Sequence, residues 1–277
     1  MSADSTPISA SPYVTELDGR PATAADLAPL AFAGYAHFTA AQVRDRRIRG
    51  LDLHLERLRA ASLTLFGRAV PDEEVRGRLR TALAAGPADV SVTVTVYSPE
   101  GEFTARAHPS AAPRLLVRTG PPATGPEGPL ALALVPHERV LPEVKHVGEI
   151  AKTLLLRRAV ADGFDDAAFL DGEGRLSEAT IWNLVFWDGT SVLWPQAAML
   201  TGTTMSAVRR RLTALGVPQR TTPITPSDLP ALAGAAVMNS WTPGIPVHRL
   251  GPVTLPPAPD FLRLLHDAYE TEAWVAP

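Results

Sequence analysis

The sequence predicts an α+β protein of two unequal parts. Strictly alternating runs such as SVTVTVY (91–97) sit beside amphipathic runs such as LDLHLERLRAASLTLFG (51–67). Strands and helices follow one another without the regular βα alternation of a doubly wound sheet. The stretch TGPPATGPEGP (119–129) holds four prolines and three glycines and reads as a linker.

The first dozen residues are small and polar and are expected to be disordered. A small unit is expected over 13–118. It opens with a strand at 13–17 turning at Asp18–Gly19, then a hairpin with strands 37–43 and 47–49 around Asp45–Arg46. Apolar residues at 51, 55, 58, 61 and 65–66 place a helix that stops at Gly67. Pro71 followed by Asp72, Glu73 and Glu74 opens the next helix, with acids at its positive end, and that helix runs to about Ala85. Strands follow at 91–97 and 114–118.

A larger unit is expected over 130–277. LALALV (130–135) is a strand, 136–148 is irregular, and 149–163 is a helix ended by Gly163. Strands at 166–171, 183–188 and 191–195 are separated by turn sequences. A helix at 203–216, strands at 234–240 and 246–251, and a helix at 258–272 complete the chain.

Composition removes several classes of function. A net charge of −3 provides no field for nucleic acid. Without cysteine there are no disulfides, thiolate metal sites or Cys nucleophiles. The histidines show no metal-ligand spacing, so no metal is expected. The start lacks a charged and an apolar segment, and no apolar run approaches a membrane span, so a cytoplasmic location is expected.

Of the 26 Lys and Arg residues, only Lys145 and Lys152 are lysines. Arginine replaces a surface lysine at little cost. It cannot replace one that must lose its proton and attack a carbonyl. Both lysines are therefore candidates for chemistry.

The segment 145–204 resembles the class IV aminotransferases, which are pyridoxal-5′-phosphate (PLP) enzymes of fold type IV. The resemblance is carried by Lys145, then Gly163, Asp165, Asp166, Ala167, Asp171 and Gly174 in the pattern G-x-D-[DE]-A-x-x-x-D-x-x-G, then Glu178 and Asn183. Upstream, His54, Arg57 and Leu58 match H-x-x-R-L; downstream, Gly202, Thr204 and Val208 match G-x-T-R-x-x-V except that Met205 stands for the Arg.

The resemblance implies a two-domain fold, a homodimer, and PLP in the cleft between the domains. It implies Lys145 as the Schiff-base lysine, with Lys152 the alternative, and Glu178 against the pyridine nitrogen. Arg57, Thr203, Thr204 and Ser240 would hold the phosphate, with Asn183 part of the same cofactor site. His37, Phe38, Trp241 and Thr242 would line the substrate side. The implied substrates are amino acids and 2-keto acids, exchanged through a transamination.

Three departures matter. A tyrosine common in the family five residues after the lysine is Ile150, the usual Glu after the small-domain aromatic is Thr39, and SVTVTVY offers no substrate-binding Arg. Aminodeoxychorismate lyases of the same fold also lack the tyrosine. Asn239, Pro243, Pro246 and Val247 resemble their ending, as does the Lys145–His146 pair. A lyase that releases pyruvate is thus the alternative, and a non-catalytic relative a third.

Overall fold

A computed structural model describes residues 11–32, 34–99 and 112–277. Residues 1–10 of the segment expected to be disordered lie outside the described residues. The elements are β1 (Thr15–Leu17), β2 (Arg20–Pro21), α1 (Ala24–Phe32), β3 (Ala36–Arg44), β4 (Arg47–Arg49), α2 (Leu51–Phe66), α3 (Asp72–Ala84), β5 (Val90–Tyr97) and β6 (Arg114–Gly120). They continue with β7 (Leu130–Pro136), α4 (Ile150–Ala161), β8 (Asp166–Leu170), β9 (Leu176–Ala179), β10 (Asn183–Trp187), β11 (Val192–Pro195), α5 (Thr203–Ala214) and β12 (Gln219–Thr222). Last come β13 (Gly234–Asn239), β14 (Thr242–Leu250), β15 (Val253–Thr254), α6 (Pro259–Glu270) and β16 (Trp274–Val275).

The first sheet has the order β16-β4-β3-β5-β6-β1-β2. Its centre is antiparallel throughout, with Phe38 opposite Thr95 and Ala40 opposite Thr93. Alternation along β3 decides which side chains reach which face. His37, Thr39, Ala41 and Val43 turn toward α2, where Leu51, Leu55 and Leu58 join Val90, Val92, Val94 and Val96 of β5 in one core. Phe38 and Ala40 turn the other way, onto the cleft. Left-handed glycines bound α2 at both ends, Gly50 at φ 62° and Gly67 at φ 68°.

The second sheet runs β12-β11-β10-β13-β14-β7-β8-β9, with β15 on β14. Strand β9 pairs back onto β10 through Glu178 and Asn183. Six strands thereby close into a ring, filled by Leu132, Leu176, Leu184, Phe186, Val237 and Leu250. A second core lies on the outer face, where α5 and α6 cover Val185, Trp194, Ala236 and Met238.

The chain crosses between the sheets at 121–129 and returns at its far end. Strand β16 pairs with β4, Trp274 opposite Arg49 and Val275 opposite Ile48. Arg49 is held there by both carboxylate oxygens of Glu270 (2.9 and 2.5 Å) and by the rings of Tyr269 and Trp274, 5.2 and 4.4 Å from their centroids.

Helices α2 to α6 and most strands lie where the sequence predicts them. Elements β2, α1, β9, β12, β15 and β16 were not foreseen. The strand expected at 246–251 begins four residues earlier, at Thr242.

Candidate active site

A cleft of about 500 Å³ lies between the two sheets. It brings together Phe38 from β3, Arg57 from α2, Lys145, Lys152 from α4, Glu178 from β9, Asn183 from β10, Thr203 and Thr204 from α5, and Ser240 and Trp241 from the β13–β14 turn. These residues are up to 203 positions apart in the chain.

Lys145 is placed by backbone pairing. The N–H of Phe38 donates to the Lys145 carbonyl at 2.8 Å, and the N–H of Val147 donates to Ala36 at 3.0 Å. A tight turn precedes it, with Val144 N–H donating to Leu141 at 2.9 Å and Leu141 at φ 50°. Residues 145–147 so form a short edge on β3. They carry the Lys145 Nζ to 4.9 Å from the centroid of the Phe38 ring. Burial, followed by the neighbouring charges of Arg57, Arg139 and Lys152, brings the Lys145 ammonium down to about 7. An amine with that affinity is about half deprotonated at neutral pH and so available as a nucleophile.

Glu178 stands at the point where the second sheet closes. Lys152 Nζ donates to its Oε1 at 3.0 Å, and Arg139 Nη1 lies 3.7 Å from the same oxygen. Burial lowers the pKa of Lys152, and Glu178 opposes that shift. The hairpin carrying Glu178 is built by motif residues that lie outside the cleft. Asp171 accepts from the N–H groups of Glu173 (3.0 Å) and Arg175 (2.9 Å), folding the β8–β9 turn. Asp166 accepts from Thr180 Oγ1 at 2.5 Å and Trp182 Nε1 at 2.9 Å, fixing the turn after β9. These carboxylates serve structure.

Arg57 lies beside the start of α5 and donates to the Thr201 carbonyl at 2.7 Å. Burial and the charge of Arg139 lower it to about 10, still a cation at neutral pH. Thr203 and Thr204 occupy the first positions of α5, whose first intrahelical bond is Ser206 N–H to Gly202 O at 2.9 Å. The N–H groups ahead of it lack intrahelical acceptors and attract an anion. Asn183 Nδ2 donates to the Leu200 carbonyl at 2.6 Å and so ties this loop to β10. A Cβ at Gly202 would collide with Asn183 Oδ1, so any side chain there must displace that amide.

The far wall is aromatic. Trp182 and Trp241 meet edge to face with centroids 5.6 Å apart. The Trp241 N–H donates to Asn239 Oδ1 at 2.8 Å, tightening the turn that carries Ser240.

Two of the expected site residues lie outside the cleft. His37 is fully buried on the opposite face of β3, where its Nε2 meets Ser62 Oγ at 2.8 Å. The alternation that brings Phe38 to the cleft turns His37 away. Thr242 is buried within its own turn, its Oγ1 3.3 Å from both the N–H and the carbonyl of Gly244. Conversely, Arg139 and Glu149 line the cleft without having been singled out in the sequence. Their segment has no periodicity, and the only available signal was charge close to Lys145.

The family model for amino-transferase class IV matches residues 36–250, and the chain belongs to that family. It is thereby an enzyme of the PLP-dependent fold type IV group. Among solved structures it is similar to a branched-chain aminotransferase from Thermoproteus uzoniensis with norvaline, at 20% identity and TM-score 0.80, over 92% of this chain and 93% of that one. It is also similar to 4-amino-4-deoxychorismate lyase from Pseudomonas aeruginosa, at 23% identity and TM-score 0.76, over 92% and 97%. The branched-chain aminotransferase from Thermobaculum terrenum in its PLP form aligns at 16% identity and TM-score 0.80, over 92% of both chains. These likenesses establish the fold. No curated protein matches the chain in sequence.

The cleft suits PLP on its own chemistry. A near-neutral amine is available for the aldehyde, and a cation and a helix start for the phosphate. The carboxylate of Glu178 has one oxygen, Oε2, with no protein donor among the described residues.

Proposed function

We propose that the chain is a PLP-dependent aminotransferase that moves an amino group between an amino acid and a 2-keto acid. The observation that carries this reading is the gathering of Lys145, Arg57, Glu178 and the start of α5 around one cleft. PLP, when bound, supplies an aldehyde that links to amines and a ring that draws electrons from the substrate Cα. Lys145 Nζ is the amine that would hold the aldehyde, and when free it would carry the proton given up by substrate Cα to its new carbon. Arg57, the N–H groups and hydroxyls of Thr203 and Thr204, and Ser240 hold the phosphate dianion. Glu178 would partner the ring nitrogen, and Asn183 holds the loop before α5 in place. Phe38 and Trp241 orient the substrate and exclude water.

The units 13–118 and 130–277 act as two domains joined by 121–129, since Thr119 and Gly120 of the expected linker complete strand β6. This division is supported by the change of sheet between β6 and β7. We read the protein as a homodimer. Exposed Val140, Leu141, Val147, Ile150 and Leu154 near the cleft supply apolar surface for a second copy. Sedimentation equilibrium at micromolar concentration would show a dimer, and a monomer there would end that reading. No helix among the described residues is long and apolar enough to cross a membrane.

A lyase acting on aminodeoxychorismate is the second reading. It is favoured by Ile150, which is 86% exposed and leaves the cleft without the family tyrosine. Borohydride reduction of the PLP-loaded protein followed by peptide mapping tests both readings at their root, since a label away from Lys145 removes them together. A donor–acceptor screen then separates them. Transfer to a keto acid supports the aminotransferase, and pyruvate release from aminodeoxychorismate without an acceptor supports the lyase. Neither reaction in a correctly labelled protein would mark a non-catalytic relative.

A further inference from the structure

Lys152 has no part in the scheme above, yet it sits in the same cleft. Its side chain is 8% exposed and that of Glu178 is 6% exposed. Its Nζ lies 3.0 Å from Oε1 of Glu178, and Arg139 Nη1, which sits 3.2 Å from Glu149 Oε1, is also 3.7 Å from that Glu178 oxygen. Burying an ion pair brings little net stability, because desolvation offsets the attraction. An apolar pair would fill the same wall at least as well. The arrangement does something an apolar pair would not: it occupies Oε1 from the protein side and leaves Oε2 as the oxygen with no protein donor among the described residues.

We infer that Lys152 is a positioning residue, one that anchors Glu178 through Oε1, presents Oε2 to the ring nitrogen of the cofactor, and weakens the carboxylate's hold on the ring-nitrogen proton. The inference rests on the reading of Glu178 as the ring-nitrogen partner. A carboxylate shared with two cations stabilises a third positive centre less than an unshared one does. Lys152 therefore tempers how strongly the ring is protonated. The charged and titratable groups around the pair are Arg139 and His137 after β7, Lys145, and Glu149 at the start of α4. Their net effect is common to all the variants below. Lys152 also stands 5.5 Å from the Phe169 ring centroid, so its ammonium is braced from behind.

The test reads the ring nitrogen directly. Holoprotein loaded with PLP carrying 15N in its ring is titrated with pH, and the nitrogen resonance reports protonation at that atom. Lys152→Met should raise the midpoint by about one pH unit, and Lys152→Arg should restore the wild-type value. Lys152→Gln keeps a donor to Oε1 but no charge. It should shift the midpoint upward as well, and it serves if the Met variant does not fold. Glu178→Gln should lower the midpoint. An unmoved midpoint in Glu178→Gln would remove the reading of Glu178 and this inference with it. A lowered midpoint in Glu178→Gln, with an unchanged or lowered one in Lys152→Gln, would overturn the role of Lys152 alone.

Discussion

Glu178 and Asn183 are direct partners across the pairing that closes the second sheet, and each governs one end of the cleft. Glu178 offers its carboxylate. Asn183 uses its amide to hold the loop that begins α5, through Leu200. One strand pairing therefore sets the spacing between the carboxylate and the helix start. Asn183→Ala should loosen that loop, since losing a buried hydrogen bond costs about 1–3 kcal/mol. Gly202→Ala should act in the same way by forcing Asn183 aside. Each is expected to weaken PLP retention by about tenfold or more, as read by fluorescence titration of the apoprotein. Retention at the wild-type level in both would mean the loop does not carry the phosphate.

The pH response of Lys145 follows from its depressed pKa. Its ammonium titrates at about 7, against the ordinary 10.5. The rate of borohydride-trappable attachment of PLP should climb through pH 7 and level off above about 8. Between about 7 and 10.5 the unfolded chain binds a proton that the folded apoprotein does not. This group therefore makes the apoprotein more stable as pH rises through that window. Lys145→Ala should abolish trapping while PLP still binds through its phosphate, and turnover should fall by at least about 10²–10⁴-fold.

Two buried histidines make the fold sensitive to acid. Burial pushes His37 down to about 4 and His54 down to about 3, His54 with a further push from Arg57. His54 Nδ1 lies 2.6 Å from Thr39 Oγ1. Both rings are neutral in the folded protein at pH 6.5, while the unfolded chain takes up protons below it. Stability should therefore drop as pH falls from about 6.5 to 4, by several kcal/mol in total. Urea melts of wild type and His37→Asn across this range are the check. The variant should show a shallower decline, and parallel declines would count against His37.

The aromatic wall should govern which side chains enter. Trp241→Ala removes the ring that meets Trp182 edge to face. It should admit bulkier amino donors while raising KM for small ones. Phe38→Ala should act on the opposite wall and also remove the ring beside the Lys145 amine. Steady-state kinetics with a graded series of donors would detect the change. An unaltered preference in both variants would place substrate elsewhere.

Much of this architecture is legible in the residues. Strict alternation gives β5, and amphipathic spacing with Gly67 as the stop gives α2. Unusual scarcity singles out Lys145 and Lys152. What escapes has a physical cause in each case. Helix α1 is AADLAPLAF, with little polar contrast and Pro29 inside it. Strand β9 is LSEA, four residues all buried on account of ring closure, a long-range event with no local pattern. His37 and Phe38 differ by one position in a strand, and only the packing of α2 decides which of them faces the cleft. Arg139 lies in a segment without periodicity, so its approach to Glu178 is visible only in three dimensions.

Because β16 returns to β4, the polypeptide links the two sheets at two separate places, 121–129 and the stretch after α6. Sliding of one sheet past the other would have to break the β16–β4 pairing. The Arg49 clasp on Glu270, Tyr269 and Trp274 stiffens one of these links. Tyr269 also packs against the core beneath α5, which includes Met205 and Val208. The clasp therefore ties the outer edge of the first sheet to the core beneath α5.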